Sequence, residues 1–217
     1  MAPSRSDSNP RPYRSELRSA QAERTRQRII AAAGERFARD GYPATTMTAL
    51  AADAGVSVAS VELAFGTKAA VLKAAIDVAI AGDHTPVAVL DRPWAAAAQD
   101  AVGVEDFLTA VAHTLRPAMM RSAGLVSAAF DAAGTDSAVG ELAAQLSEQR
   151  ATTVAWVVDG IRRRARLRPG ITRRGAIDQV WLLMDPAIYQ RLTRYRDWTP
   201  RKYERWFVAT VSRLLLT

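Results

Sequence analysis

The chain contains no cysteine. Disulfides, thiolate metal sites and a cysteine nucleophile are therefore excluded. Histidine is scarce too. His84 and His113 are the only two, and zinc needs at least three protein ligands, so the pair of His84 and Asp83 does not make a metal site. Lysine occurs only as Lys68, Lys73 and Lys202, which leaves 26 of the 29 basic residues as arginine. With the alanine runs, that usage suits a GC-rich bacterial genome. No stretch approaches about 18 consecutive apolar residues without a charge, so no membrane span or membrane partner is expected. The N-terminal "MAPSRSDSNPRPYRSELRSAQAERTRQ" has no apolar core of signal-peptide length, and a cytoplasmic location is expected. Nucleophile–base pairs, glycine-rich phosphate loops and supported carboxylate pairs are also missing. Neither enzyme activity nor a cofactor is expected.

Strand signals are lacking as well. No segment alternates with period two between hairpin turns, while helical periodicity runs almost to the end. The fold class expected is all-α. With 217 residues, 49% hydrophobic and 24% charged, the chain has material for one medium domain or two small ones. The net charge of +7 is unevenly placed. Residues 1–68 carry +3, residues 69–149 carry −6 and residues 150–217 carry +10. A basic protein invites a nucleic-acid reading. Most of the excess lies around "RRRARLR" (162–168), however, where solvated arginines on helix surfaces are the favoured reading.

Residues 1–20 are polar, Pro-rich and aperiodic and read as a disordered tail. A first helix is expected from about Ala22 to Arg39, with Ile29, Ala33 and Phe37 on one stripe. Asp40-Gly41 and Pro43 end it. Thr46 caps a second helix, about Met47 to Ala54, with Leu50, Ala51 and Ala54 inward. Gly55-Val56-Ser57 turns the chain, and Ser57 caps a short third helix to Phe65. Gly66 stops that helix, Thr67 caps a fourth, and Lys68 lies in its first turn. Two short helices joined by a Gly-containing turn form a helix-turn-helix. In this reading Phe37, Leu50, Val61 and Phe65 are core, and Val58, Ala59, Ser60 and Glu62 point outward.

Residues 25–76 resemble the DNA-binding head of the tetracycline-repressor (TetR) family of bacterial regulators. The resemblance rests on the Phe37 helix, Gly41-Tyr42, Thr45-Thr46, Ala54-Gly55-Val56-Ser57, Phe65 and Lys68 at family spacing. It implies an N-terminal three-helix domain (21–82) and a larger C-terminal helical domain (83–217) for ligand binding and dimerisation. The implied DNA-contacting set is Thr46, Ser57, Val58, Ala59, Ser60, Glu62 and Lys68. Thr46 and Lys68 would serve phosphates at helix N-termini. The tail arginines Arg5, Arg11, Arg14 and Arg18 could form a minor-groove arm or lie solvated. Two positions depart from the family. Glu62 replaces a phosphate-contacting tyrosine, and Val58 stands where a basic residue is common. Glu62 could read a cytosine amino group, pair with an arginine, or weaken DNA binding through repulsion.

The C-terminal part is expected to form helices at about 104–121, 123–133, 137–167, 173–195 and 200–216. The stretch "AGDHTPVAVLDRPWAAAAQD" reads as a loop, and Asp185-Pro186 should break the helix that contains it. Trp94, Phe107, His113, Met119, Met120, Phe130, Trp156 and Met184 are candidates for lining a ligand pocket, with ordinary core as the competing reading. His113 on an apolar helix reads more simply as a core histidine. Trp181, Tyr189, Trp206, Phe207 and Val211, together with Trp198, suit either a dimer interface or the interior of one subunit. The resulting expectation is a ligand-relieved repressor. It would act as a homodimer on an inverted-repeat, double-stranded DNA operator, with a small-molecule effector. The alternative is a ligand-binding or scaffold dimer whose head has lost DNA affinity through Glu62 and Val58.

Overall fold

A computed structural model describes residues 11–217, with side chains from Arg18 onward. Its helices run in the order α1 (Arg11–Ala44), α2 (Met47–Ala54), α3 (Val58–Phe65), α4 (Lys68–Ala81), α5 (Pro93–Gln99), α6 (Val104–Ala132), α7 (Ser137–Arg164), α8 (Arg173–Leu183), α9 (Pro186–Tyr195) and α10 (Pro200–Leu215). Among the described residues there is no strand beyond a single bridge between Leu167 and Leu216. The fold is all-α. No single helix among these residues is long and apolar enough to cross a membrane.

The helical periodicity places most elements where the sequence suggests. Four differences have physical causes. Helix α1 begins at Arg11, well before Ala22, so residues 11–20 of the expected tail are helical; residues 1–10 lie outside the described residues. The expected loop after α4 contains a 3-10 turn at Val89–Asp91 and helix α5, which starts at Pro93, where a missing N–H costs nothing. The two expected helices at 104–121 and 123–133 are one, α6. It runs through Pro117 although proline removes the bond to the His113 carbonyl. Burial on several sides holds it together, since Phe107, Leu108, Met119, Leu125 and Ala129 all face the interior. The helix expected over 137–167 stops at Arg164.

Helix α6 is the axis of the molecule. It packs against α1, α4, α5, α7, α9 and α10. Ile29, Phe37, Leu50, Val61 and Leu72 of the first four helices share one apolar core with Leu125, Ala129 and Leu142 of α6 and α7. A second core lies around Phe107, Val157, Ile161, Val180 and Phe207. Here α7 leaves room for an aromatic ring: a Cβ built on Gly160 would fall 2.2 Å from the Phe107 ring. The Arg164 guanidinium covers the ring at 4.4 Å.

Gly160→Ala should therefore destabilise the fold by about 1–3 kcal/mol through overpacking. Gly34→Ala, in α1 with nothing within 4 Å of the added Cβ, should stabilise it by about 0.5–1 kcal/mol through helix propensity. Urea midpoints of the two variants against the parent check both signs.

Candidate nucleic-acid interface and interior cavity

Helices α2 and α3 meet at 105°, within the helix-turn-helix range. Three caps set this geometry. Thr46 Oγ1 accepts the Ala49 N–H at 3.1 Å, Ser57 Oγ accepts the Ser60 N–H at 3.1 Å, and Thr67 Oγ1 accepts the Ala70 N–H at 3.1 Å. Gly55 closes α2 at φ 63°, a left-handed conformation that glycine tolerates without a Cβ clash. Val61 is fully buried and fixes α3 to the core. Phe65, expected in the core, is only half-buried. Its outer face is covered by the Arg26 guanidinium at 4.2 Å, and Arg26 Nη1 also donates to the Ala64 carbonyl at 3.0 Å.

The face of α3 left to solvent differs from the expected one. Ala59 and Glu62 are exposed, but Val58 is half-buried against the core and Ser60 is half-buried, its hydroxyl 2.8 Å from that of Ser57. Leu63, absent from the sequence-based set, is 91% exposed. Its only sequence signal was its position two residues beyond the buried Val61, on the opposite side of the helix. Glu62 takes part in no ion pair among the described residues, which sets aside the salt-bridged reading there. Of the possible arm, Arg18 is exposed on α1. Arg5 and the side chains of Arg11 and Arg14 lie outside the described residues.

Lys68 is used internally. Its ammonium donates to the carbonyls of Tyr42 (2.9 Å) and Thr45 (2.8 Å) and sits 4.0 Å over the Tyr42 ring. Burial lowers its pKa. Two of its three N–H groups are thereby committed to the chain, and its clearest structural role is to hold the end of α1 against the start of α4. Tyr42 extends the link. Its hydroxyl donates to Asp136 Oδ2 at 2.6 Å, and Asp136 Oδ1 caps α7 at Ala138 and Val139. The head is thus tied to the C-terminal helices by a charge-assisted hydrogen bond.

Residues 29–75 match the family model described as "Bacterial regulatory proteins, tetR family". The N-terminal part of the chain is thus similar to the TetR-family head. No curated protein matches it at the sequence level. Solved structures do match its fold. NalD of Pseudomonas aeruginosa, the secondary repressor of the MexAB-OprM multidrug efflux pump, is 18% identical with a TM-score of 0.63, over 90% of this chain and 97% of that one. A transcriptional regulator from Rhodococcus sp. Rha1 is 18% identical with a TM-score of 0.62, over 87% and 95%. A candidate transcriptional regulator from Saccharomonospora viridis, in complex with choline, is 15% identical with a TM-score of 0.67, over 88% and 97%. At these identities the likeness is one of fold.

The C-terminal part of the chain forms an open-mouthed cavity of about 660 Å³ among α4, α5, α6, α7, α8 and the start of α9. His113, Met119, Phe130, Met184 and Trp94 line it as the sequence suggests. Phe107, Trp156 and Met120 do not. Phe107 is fully buried on Gly160. Trp156 packs edge-on to Trp94 at 5.4 Å and against Phe107 at 5.6 Å, and Met120 points to solvent. His113 is no core histidine: its side chain is exposed, with Nδ1 3.5 Å from Glu204. Of the interface candidates, Phe207, Val211 and Tyr189 are buried inside the subunit. Tyr189 meets Tyr203 edge-on at 4.9 Å, and Trp206 is half-buried between Tyr203 and Trp198. Trp181 lines the cavity beneath Arg150. The apolar side chains that α8–α10 leave exposed are Leu182, Tyr195 and Leu214. No group of three or more metal-ligating side chains occurs among the described residues.

The Tyr42 contact, first among its causes, lowers the Asp136 pKa. A depressed carboxylate stabilises the fold above its unfolded pKa of about 3.9, and that contribution is lost as pH falls through the lower folded value. Tyr42→Phe should therefore lower the urea midpoint at about pH 7, and the gap to the parent should shrink as pH drops below about 4. Denaturation series at several pH values check the trend.

Proposed function

We propose that the protein is a dimeric, sequence-specific DNA-binding regulator whose DNA affinity is relieved by a small molecule in the interior cavity. The observation that carries the reading is the capped helix-turn-helix, with Val61 inward and Ala59, Glu62 and Leu63 outward on α3. Small side chains there allow the helix backbone close to a major groove, and Leu63 and Ala59 suit thymine methyl groups. Thr46 and the free N–H groups at the start of α2 suit a phosphate. Residues 21–82 act as the reading head and residues 83–217 as the effector and dimerisation part.

Dimerisation would place two copies of α3 about 34–36 Å apart, one turn of DNA, on an inverted repeat. Leu182, Tyr195 and Leu214 supply apolar surface for such a contact. NalD, which shares the fold, is named as a repressor, and repression is the mode proposed here. The choline complex of another protein of this fold supports a small organic ligand in this part of the molecule. Ligand relief requires only that the effector favour the non-binding geometry, typically by about 1–3 kcal/mol.

A gel-shift titration on the DNA upstream of the protein's own gene tests the reading. A selective shift that weakens steeply with salt is expected; no selective shift at micromolar protein overturns it. Glu62→Gln should tighten binding about fivefold by removing about 1 kcal/mol of repulsion from phosphates. If it instead erases the preference at one base pair, Glu62 reads a cytosine.

A further inference from the structure

The cavity wall holds a cation, Arg150, with hydrogen-bonding capacity to spare. Arg150 lies with its guanidinium 3.6 Å from the centre of the Trp181 ring and donates from Nη1 to Asp185 Oδ2. Its Nε–H and Nη2–H groups meet no acceptor among the described residues. The other charged groups of the lining differ. Arg92 is committed to Asp83 and to the carbonyls of Thr85 and Val87. Arg121, exposed at the rim, turns its guanidinium to the last carbonyls of α4 at Ala79 and Ile80. Asp131 and His113 are exposed at the rim. Asp185 has both oxygens in use, Oδ1 accepting the Ala187 N–H at 2.7 Å and Oδ2 holding Arg150.

This arrangement discriminates by charge. An entering cation finds the Trp181 face and the Asp185 carboxylate already occupied by the chain's own guanidinium. An entering anion finds a planar set of spare N–H donors with carboxylate-matching geometry. The wall beyond is apolar, formed by Val111, Leu115, Met119, Leu146 and Val157. We propose that the effector is an organic monoanion, with its carboxylate on Arg150 and an apolar body in the cavity. The proposal rests on the effector reading above and deepens it.

Three probes with one tail separate the possibilities: dodecanoate, dodecanol and dodecyltrimethylammonium. Each is titrated below its micellar concentration into the full chain without DNA, with tryptophan fluorescence and calorimetry as readouts. Dodecanoate should bind about tenfold or more tighter than dodecanol, as expected for a hydrogen bond to a charged group. Asp185→Asn keeps an oxygen to cap α9 and frees Arg150, so it should tighten dodecanoate and leave dodecanol unchanged. The double variant Arg150→Gln with Asp185→Asn removes both charges together, leaves no unpaired ion, and should reduce dodecanoate to the dodecanol level. Equal affinity for acid and alcohol in the parent, tighter binding of the ammonium, or a preference that survives the double variant each overturns the anion subsite. The effector reading fails separately: it falls if dodecanoate binds with this preference and neither it nor any other cavity ligand alters DNA affinity.

Discussion

The close approach of α1 to α6 is the constraint on which the other parts depend. Gly124 makes it possible, because a Cβ there would lie 3.3 Å from the Ala38 Cβ of α1 and 3.4 Å from Gln190 Nε2 of α9. Ala128, Ala129 and Ala132 continue the small-residue face beside it. Small residues let helix axes approach closely, and here the approach fuses the core of the reading head with that of the C-terminal helices. The head is therefore seated on α6 along its first helix as well as joined to it through α4.

That seating explains the polar links around it. Tyr42 reaches Asp136 at the start of α7, Arg121 of α6 reaches the last carbonyls of α4, and Ser127 of α6 donates to Gln190 of α9 at 2.7 Å. The first two bonds tie α1 or α4 to a helix that lines the cavity, and the third joins two such helices. A change in the spacing of α6 and α9 is thus also a change in the surroundings of Gly124 and Ala38. Energetic coupling needs an element with two packed arrangements, and the Asp185-Pro186 break between α8 and α9 is where the proposed ligand relief would act. Asp185 is at once the cap of α9 and the partner of Arg150, so in the proposed reading a ligand on Arg150 would act on that break.

The parts legible in the sequence were those fixed by local chemistry. Helices α2 and α3 were readable to the residue because Thr46, Ser57, Gly55 and Gly66 are caps and stops whose action depends on neighbours a few positions away. The break at Asp185-Pro186 and the start of α10 at Pro200 were readable for the same reason. Continuity of α6 across Pro117 was not, since tertiary burial outweighs the lost backbone bond there. Side-chain orientation was the least legible. Phe207 and Val211 lie on the stripe that α10 buries, and periodicity identifies such a stripe without saying whether it meets its own subunit or a second one. Leu63 shows the converse: an apolar residue on a short helix lies outward because Val61 occupies the inward position.

The exposed face of α3 and the committed state of Lys68 belong to one electrostatic design. A head of this kind usually gains affinity from cations set against phosphates. Here Lys68 is directed inward onto carbonyls, Arg26 covers Phe65, and Arg36 is held by Asp53 in a two-pronged pair at 2.5 and 2.9 Å. Lys68, Arg26 and Arg36 thus act as structural braces, and the outward surface of α3 offers Ala59, Glu62 and Leu63 instead. In the proposed reading, with little non-specific attraction from α3 itself, discrimination between sites would depend more on shape and methyl contacts than on charge. In the proposed reading, a head so built would bind its site with a smaller electrostatic background, and its occupancy would respond to the modest coupling energy of a cavity ligand.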